Sequence, residues 1–263
     1  MNDPATQEYD DKLTALLEAI WGEGFMSPGG IDEVDRYLEG IRLDGLAVLD
    51  IGCGLGGIDV HLVRQHRAAM VTGIDIDQAL IDQCRKLAEK YGVESQTEFI
   101  CVAPGPLAFA DASFDAVTSK DSIIHIPDKH ALAVDVFRVL KPGGWFAASD
   151  WLAGYEGEPS AEMQDYLAAE GLDFGLATAE VYQQALATAG FTDLEIVDRN
   201  DWYRQHARHE RDHLKGALYE GLVAATGAEF VNHEVEVWEK MIVALEQGQL
   251  RPTHLRGRKP DRD

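Results

Sequence analysis

The sequence predicts an α/β protein built around a doubly wound, mostly parallel sheet. Between about residues 41 and 151, short apolar runs alternate with helical segments, and the loops that join them are short. This alternation is typical of repeated strand–helix units, which form parallel sheets. In addition, the first apolar run ends in the turn "GCGLGG", whose glycines admit a ligand close to the backbone.

The predicted elements follow one another closely through this region. Asp128 is the expected N-cap of the last helix, and a Lys-Pro-Gly-Gly run is the expected stop signal at its end. In chain order the elements are strand 46–51, helix 58–66, strand 69–77, helix 78–92, strands 97–102 and 113–119, helix 127–144 and strand 145–151.

Beyond residue 151 the alternation weakens. A polar segment through Leu167 has some helical character, residues 178–190 are predicted to form a helix, and residues 192–198 a strand. Residues 200–250 are mostly helical, and "HLRGRK" is expected to add a closing edge strand. An apolar stripe on the last helix indicates core packing; it comprises Val235, Trp238, Ile242 and Leu245.

The composition argues against several classes of protein. There are 46 acidic and 23 basic residues, a formal net charge of −23, so nucleic acid is not an expected partner. Three cysteines without metal-like spacing predict no disulfide framework, and a reducing cytoplasm is the expected compartment. We expect no signal peptide, because the N-terminal segment is acidic and polar, and no membrane span, because no apolar run is long enough. We expect no metal site either, because the histidine-containing runs 204–213 and 251–259 are typical of solvated faces.

The strongest local signal is "VLDIGCGLGG", residues 48–57, together with an acidic residue after the second strand. Asp50 stands two residues before the first glycine, and its carboxylate favours a cationic ligand end over a pyrophosphate. Asp75 follows Gly56 by nineteen residues and closes the second strand, where a carboxylate accepts both hydroxyls of an adenosine ribose. A structural turn with a capping aspartate and a nicotinamide site remain alternatives.

These motifs resemble those of class I S-adenosylmethionine-dependent methyltransferases, in which an acidic residue precedes a G-x-G-x-G loop. The similarity runs through "VLDIGCGLGG", "GIDID", "FDAVTSKD" and "VLKPGGWFAASDW". It implies a Rossmann-like methyltransferase fold with S-adenosylmethionine as cofactor. Ala103 stands where the family usually has an acidic residue for the adenine amino group, so Val102 is expected to contact adenine instead. The other implied cofactor residues are Asp50, Gly52, Gly54 and Gly56 at the methionine end, and Asp75 and Ile76 at the ribose and adenine.

The segment "EAIWGEGFMSPGG", residues 18–30, resembles the N-terminal lid of phosphoethanolamine N-methyltransferases and of sarcosine/dimethylglycine methyltransferases. The resemblance implies that Met26 and Ser27 contact the cofactor. Tyr9 lies twelve residues before Trp21, the offset of a lid tyrosine that pairs with a histidine in the phosphoethanolamine enzymes.

The segment "SKDSIIH" has the Asp-x-x-x-His spacing of the same enzymes, which assigns catalytic roles to Asp121, His125 and Tyr9. An amine acceptor has a pKa of about 10.4, so a site needs a carboxylate to orient the ammonium and a base to take its proton. Asp121 suits the first role and His125 the second, with Tyr9 bonded to the imidazole. Trp151 and Phe25 are expected to form aromatic walls.

Several residues differ from those that meet the substrate phosphate in the phosphoethanolamine enzymes. Tyr166 is kept, but an acid replaces an arginine, and apolar residues replace two tyrosines and a lysine. Separately, Lys120 is expected to face solvent or the cofactor carboxylate. The replacements are Trp151, Glu170, Leu172 and Met241. The sequence therefore predicts methylation of a small amine other than a phosphobase.

Other functions remain open on the same scaffold. They are O- or C-methylation of a small metabolite, a phosphoethanolamine methyltransferase, and a cofactor-binding regulatory module. We divide the chain into a helical lid at 1–40, an S-adenosylmethionine-binding core at 41–199, and a helical substrate-side insertion with a closing strand at 200–263. Together they are expected to form one compact domain, as a monomer or a homodimer.

Overall fold

A computed structural model of the protein describes residues 9–172 and 174–261. Helices and strands alternate through the region where the sequence predicts it, and helices dominate both flanks. In chain order the elements are α1 Asp11–Trp21, α2 Gly30–Tyr37, β1 Ala47–Ile51, α3 Gly57–Arg64, β2 Met70–Asp75, α4 Gln78–Tyr91, β3 Thr97–Cys101, β4 Phe114–Lys120, a 3₁₀ turn Ile123–His125, α5 Lys129–Val139, β5 Leu140–Ala153, α6 Ala161–Glu170, α7 Ala179–Ala189, β6 Thr192–Asp198, α8 Asn200–Lys215, α9 Tyr219–Thr226, α10 Ala228–Glu246 and β7 Leu250–Arg258.

Within the described residues, the strands form one seven-stranded sheet in the order β3-β2-β1-β4-β5-β7-β6. Strands β1 to β5 are parallel, and β7 runs antiparallel to both of its neighbours. The strand order changes direction between β1 and β4, and ligands of doubly wound sheets bind beyond the carboxyl ends of the strands at such a point. The glycine-rich turn after β1 lies at this position. The predicted doubly wound, mostly parallel sheet is confirmed.

The prediction that "HLRGRK" forms an edge strand is wrong. Strand β7 lies between β5 and β6, and β6 is the edge. Most of β7 is buried and most of β6 is exposed, so β7 has a partner on each side. Acidic residues on β6, including Glu195, suit an exposed edge, where charge discourages pairing with another chain.

Helix α5 ends earlier than predicted, at Val139 rather than near residue 144. The Lys-Pro-Gly-Gly run belongs to the start of β5, where Gly143 has a positive φ of 79°. The predicted N-cap is confirmed, since Asp128 accepts a hydrogen bond of 2.9 Å from the N–H of Ala131.

Apolar side chains form three clusters. One packs α2, α3 and α4 against the first face of the sheet, and a second packs α5 and α7 against the other. Along β1, Val48 belongs to the first cluster and Leu49 to the second, as the alternation of side chains in a strand requires.

The third cluster joins α1 with α6, α8, α9 and α10. It therefore unites the predicted lid with the predicted insertion, through residues such as Leu16 and Trp238. The predicted core stripe of α10 is confirmed, with Trp238, Ile242 and Leu245 buried and Val235 packed beside them. Among the described helices, none combines the length and apolar character needed to cross a bilayer.

Candidate active site

The glycine loop after β1 is in close contact with two other segments. A Cβ on Gly52 would lie 1.7 Å from Ser122 Oγ, and one on Gly54 would lie 3.0 Å from Met26 Sδ. Both glycines have a positive φ, 73° and 54°, which L-residues rarely adopt. The loop therefore requires glycine both for its conformation and for the approach of its neighbours.

Asp50 is fully buried at the end of β1, and neither of its carboxyl oxygens has a hydrogen-bond partner in the described structure. The same holds for Asp59 in the first turn of α3. Burial raises the pKa of Asp50 to about 7, although the neighbouring Asp59 lowers it. Burial and the charge of Asp50 also raise the pKa of Asp59. Buried carboxyls without donors fit a ligand that brings a cationic group to this place.

Asp75 connects the ends of β1 and β2. Its Oδ2 accepts a hydrogen bond of 3.0 Å from the N–H of Gly54, and its Oδ1 accepts one of 3.0 Å from the N–H of Asp77. The next residue, Ile76, is 59% exposed, which is unusual for an isoleucine beside a core strand. Val102 lies across from them, and its N–H donates to the carbonyl of Asp75 at 2.9 Å. This arrangement fits a ribose at Asp75 and an adenine between Ile76 and Val102.

The segment between α1 and α2 lies on the glycine loop. The N–H of Gly57 donates to the carbonyl of Gly24 at 3.0 Å, and the N–H of Gly24 donates to Glu18 Oε1 at 2.7 Å. Ser27 is buried in the same segment. Phe25 also packs here, since a Cβ on Gly57 would lie 3.1 Å from its ring.

Asp121 follows β4 in a left-handed backbone conformation, with φ of 55°. Its N–H donates to the carbonyl of Ser149 at 2.7 Å, and its Oδ1 accepts a hydrogen bond of 2.8 Å from Ser149 Oγ. Its Oδ2 accepts a hydrogen bond of 2.7 Å from Lys120 Nζ. The side chain of Lys120 is only 1% exposed, so the expectation that it faces solvent is wrong. The alternative, that it faces the cofactor carboxylate, stays a prediction. An ammonium buried beside a carboxylate pairs with it, because an unpaired buried charge is costly.

His125 is the last residue of the 3₁₀ turn that follows Asp121. Its N–H donates to the carbonyl of Ser122 at 3.1 Å, and its half-buried ring lies 5.4 Å from the ring of Phe174. Tyr9 is half-buried against the third cluster, directly before Asp10, the N-cap of α1. The pairing of Tyr9 with His125 stays a prediction.

Two buried charged residues hold this turn. Lys129 Nζ donates to the carbonyl oxygens of Ile123 at 2.7 Å and Ile126 at 2.6 Å. Asp150 Oδ1 accepts a hydrogen bond of 3.0 Å from the N–H of Ile124, and its other oxygen accepts one from the hydroxyl of Tyr182. Burial raises the pKa of Asp150 to about 7 and lowers that of Lys129 to about 8.

A narrow cleft with a cavity volume of about 10 Å³ opens beside Asp121. Trp151, Trp202 and Tyr203 contribute aromatic rings to its lining. The ring of Tyr203 lies 5.0 Å from that of Trp151 and 5.6 Å from that of Trp202. Among the predicted substrate residues, the cleft brings Trp151 to Asp121, while Phe25 and Tyr166 are not among the described residues that line it.

The aromatic wall is held from behind by Glu210. This buried carboxylate accepts hydrogen bonds of 2.9 Å from the hydroxyl of Tyr203, 2.5 Å from Trp21 Nε1 and 3.2 Å from Trp238 Nε1. The donors come from α1, α8 and α10, so the lid and the insertion meet at this residue.

The opposite side of the cleft carries a charged network around Glu33. Arg199 donates to both oxygens of Glu33 at 2.8 and 3.1 Å, and His254 Nε2 lies 3.0 Å from Oε2. Burial alone would raise the pKa of Glu33, but the bonds to His254 and Arg199 lower it to about 2. This network fixes α2 to β7 and α8.

Glu170 and Met241 stand where the resemblance implies phosphate-binding cations, and Glu234 is a further acid, itself buried. Burial raises the pKa of Glu170 and of Glu234 to about 7, and Glu170 adds to the effect at Glu234. Burial and Glu170 also raise the pKa of Tyr166. Met241 is buried, with its Sδ 4.0 Å from the hydroxyl of Tyr203. This side of the third cluster therefore disfavours an anion.

The "Methyltransferase domain" family matches residues 49–148. Phosphoethanolamine N-methyltransferase 1 of Arabidopsis thaliana is 36% identical over 221 residues, which make up 81% of this chain and 44% of that protein. The chain belongs to the class I S-adenosylmethionine-dependent methyltransferases. It spans less than half the length of this relative.

Two further comparisons concern a second relative and a solved structure. Sterol 24-C-methyltransferase erg-4 of Neurospora crassa is 30% identical over 221 residues, covering 75% of this chain and 58% of that protein. The structure of phosphoethanolamine N-methyltransferase 2 of Haemonchus contortus, solved with phosphomonomethylethanolamine and S-adenosylhomocysteine, has a TM-score of 0.86 over 97% of this chain and 59% of that chain. At 24% identity, the last comparison confirms the methyltransferase fold.

Sequence reasoning missed several residues of the candidate site. Ser149, Tyr203 and Arg199 come to the cleft from segments far apart in the sequence, and no motif marks them. Asp59 carries no signal either, since an aspartate in the first turn of a helix is common. Its burial depends on Gly73, where a Cβ would lie 2.6 Å from Asp59 Oδ1.

Proposed function

We propose that this protein transfers a methyl group from S-adenosylmethionine to the nitrogen of a small-molecule amine. The observation that carries the proposal is the position of Asp121, which lies at the carboxyl end of β4 and lines an aromatic cleft. His125 follows on a turn held by two buried charged residues. This arrangement provides a carboxylate and a base next to the switch point of the sheet.

The residues around the glycine loop fit the cofactor. The unpartnered Asp50 suits the cofactor's α-amino group, Asp75 its ribose, and Ile76 and Val102 its adenine. Met26 and Ser27 would cover it, since they lie on the segment that packs on the loop. When bound, S-adenosylmethionine supplies an electrophilic methyl group on its sulfonium.

Asp121 would bind and orient the acceptor's ammonium group. A carboxylate has about four lone-pair sites, and Lys120 and Ser149 occupy two of those on Asp121. The remaining sites accept hydrogen bonds from the acceptor. Because these two protein donors fix the carboxylate, little side-chain entropy is lost when the amine binds.

His125 would take the proton that the amine must lose before its nitrogen can attack. Making an amine of pKa about 10.4 neutral at pH 7 costs roughly 4.6 kcal/mol, so a nearby base is needed. Tyr9 would orient the imidazole. The rings of Trp151, Trp202 and Tyr203 stabilise methylammonium groups through their faces.

Glu170 and Glu234 make a phosphorylated acceptor unfavourable. Tyr203, which lines the cleft, belongs to the same apolar cluster as Tyr166, and Glu170 helps to raise the pKa of Tyr166. Above about pH 7, where Glu170 and Glu234 are ionised, a phosphate placed near Tyr166 would therefore be repelled by like charges in a partly buried site. An amino-acid-like or other metabolite amine fits better.

C-methylation of a lipid is the second candidate, because the Neurospora crassa sterol enzyme is 30% identical. We place the protein in the cytoplasm, because Cys53, Cys84 and Cys101 are all free thiols. We expect it to be a monomer or a homodimer.

A turnover screen tests the proposal. The protein is incubated with S-adenosylmethionine and one acceptor at a time: ethanolamine, phosphoethanolamine, glycine, sarcosine or another metabolite amine. S-adenosylhomocysteine formation is then followed against a His125→Ala control. We expect one unphosphorylated amine to be methylated faster than phosphoethanolamine. Cofactor binding without turnover on any amine would instead indicate a regulatory module or another acceptor atom.

A further inference from the structure

Two histidines and an aspartate converge on the surface between α2 and α3, on the side of the sheet that carries the first apolar cluster. His61 Nε2 lies 2.6 Å and His66 Nε2 2.7 Å from the same oxygen, Asp35 Oδ1. The two imidazole rings meet edge to face, with centroids 5.2 Å apart. The three donor atoms all lie within 4.8 Å of one another.

We propose that Asp35, His61 and His66 bind a divalent first-row transition-metal ion, with Zn²⁺ as the reference ion. Imidazole nitrogen and carboxylate oxygen are ligands that Zn²⁺ takes at about 2.0–2.2 Å, and two histidines with one carboxylate is a known three-ligand set. Water completes the coordination. This site is separate from the acceptor cleft and goes beyond the proposed methyl transfer.

The geometry needs only a small adjustment to accept an ion. Ligands at about 2.1 Å in a tetrahedral arrangement lie roughly 3.4 Å apart, so the carboxylate must withdraw by less than about 1 Å from each imidazole. Asp35 is free to do so, because its side chain is 53% exposed. His61, at 7% exposed, provides the fixed part of the site, and His66, at 20%, leaves a path from solvent.

The charges around the cluster also favour a cation. The chain has a formal net charge of −23, which raises the local concentration of metal ions at its surface. The single carboxylate between the two imidazoles supplies one negative charge. A divalent ion bound by all three ligands would pair with that charge.

The ion would join two helices that matter for the methyltransferase site. Asp35 lies on α2 two residues after Glu33, whose carboxylate binds Arg199 and His254 beside the cleft. His61 lies on α3, which begins at the glycine loop. Cross-linking α2 to α3 is therefore expected to stabilise the fold.

Metal titration of the full chain without a polyhistidine tag tests the proposal. Co²⁺ is the spectroscopic probe, because its visible absorption reports imidazole and carboxylate ligation, and Zn²⁺ displaces it. We expect the wild type to bind one Co²⁺ per chain. In Asp35→Ala and in His66→Ala, the affinity for Co²⁺ should fall by roughly tenfold or more. The control is His209→Ala, which removes an exposed imidazole on α8 and leaves the affinity unchanged.

Thermal unfolding provides a second measurement that does not need the variants to bind metal. Zn²⁺ is expected to raise the melting temperature of the wild type and of His209→Ala, because an ion that binds only the folded state stabilises it. Circular dichroism in chelator establishes that Asp35→Ala and His66→Ala are folded. Equal Co²⁺ affinity in all four proteins, or no Zn²⁺-dependent stabilisation of the wild type, would overturn the proposal. Neither measurement depends on methyl transfer.

Discussion

Lys129 and Asp150 hold the turn that carries His125 from opposite sides. Lys129 donates to the carbonyls of Ile123 and Ile126, and Asp150 accepts from the N–H of Ile124. Both charged side chains are buried, one on α5 and the other on β5. Since buried backbone groups must be paired, these two residues determine the conformation of the turn. They are positioning residues for the proposed base.

Replacing Lys129 by methionine tests this positioning role. Lys129→Met removes the donor for at least two carbonyl oxygens, so the turn is expected to loosen and turnover to fall by roughly tenfold or more. Cofactor affinity should stay within about twofold of wild type, because the glycine loop is untouched. Steady-state kinetics and calorimetric cofactor titration measure the two effects. The matched control is Lys86→Met at an exposed position on α4; equal turnover in both variants would show that the turn needs no such anchor.

His125→Ala is expected to lower turnover by roughly a hundredfold with little change in cofactor affinity, as loss of a general base does. The control is His130→Ala, an exposed histidine on the following helix. Both variants are compared by S-adenosylhomocysteine formation at saturating acceptor. Turnover within about threefold of wild type for His125→Ala would exclude the base assignment.

The site at Asp50 predicts a pH dependence of cofactor affinity. An ammonium group binds the ionised carboxylate, and the pKa of Asp50 is raised to about 7 in the free protein. Below about pH 7 binding must therefore release a proton, so the affinity for S-adenosylhomocysteine is expected to rise from about pH 5.5 to 7. Titration at these two values measures the change.

Two variants separate the roles at the cofactor site. Asp50→Asn should weaken binding and flatten its pH profile. Asp75→Ala should weaken binding but keep a pH dependence, shifted to lower pH, because the charge of Asp75 helps to raise the pKa of Asp50. Wild-type affinity in both variants would place the cofactor elsewhere.

The sequence was informative wherever a short stretch carries its own physical reason. Gly52 and Gly54 are required by positive φ and by the approach of Ser122 and Met26, so a run of glycines after a strand identifies a ligand loop. The N-cap at Asp128 is equally local, because its carboxylate bonds to a backbone N–H three residues away. The alternation of strands and helices is also a local pattern, and it predicted the sheet.

Features that depend on distant parts of the chain were not predictable. The placement of β7 between β5 and β6 is a matter of long-range pairing, and "HLRGRK" alone is compatible with an edge strand. The burial of Lys120 was not predicted, because it depends on an ion pair with Asp121, and no motif marks the left-handed backbone conformation of Asp121. Trp151 was predicted as an aromatic wall of the site, but Tyr203 was missed because it belongs to a helix more than 70 residues after Asp121.

Acceptor specificity provides a further prediction. Glu170, with a pKa of about 7, is ionised at about pH 8, so at this pH Glu170→Gln removes a negative charge near Tyr166 and kcat/KM for phosphoethanolamine relative to ethanolamine is expected to rise by roughly tenfold. Glu220→Gln, an exposed change on α9, is the control. The two acceptors are compared in competition by mass spectrometry. An unchanged ratio would mean that Glu170 does not face the acceptor.

The raised pKa values of buried carboxyls predict that stability falls as the pH rises. In the folded protein the pKa of Asp150 is about 7, against an ordinary value of 3.8. Between these values the folded state holds a proton that the unfolded state has lost, so the free energy of unfolding decreases from about pH 4 to 7. Asp50, Glu170 and Glu234 act in the same direction. Glu33, with a pKa of about 2, acts oppositely but only below about pH 4.5.

Urea denaturation of the ligand-free protein at about pH 5.5 and 7.5 measures this effect. The wild type should unfold at a lower urea concentration at the higher pH. Asp150→Asn keeps an oxygen that accepts from the N–H of Ile124 but does not titrate, so its stability should change less between the two values. The exposed Asp44→Asn variant should behave as the wild type does. A wild-type midpoint that rises with pH, or equal slopes in all three proteins, would contradict a protonated Asp150 in the folded state.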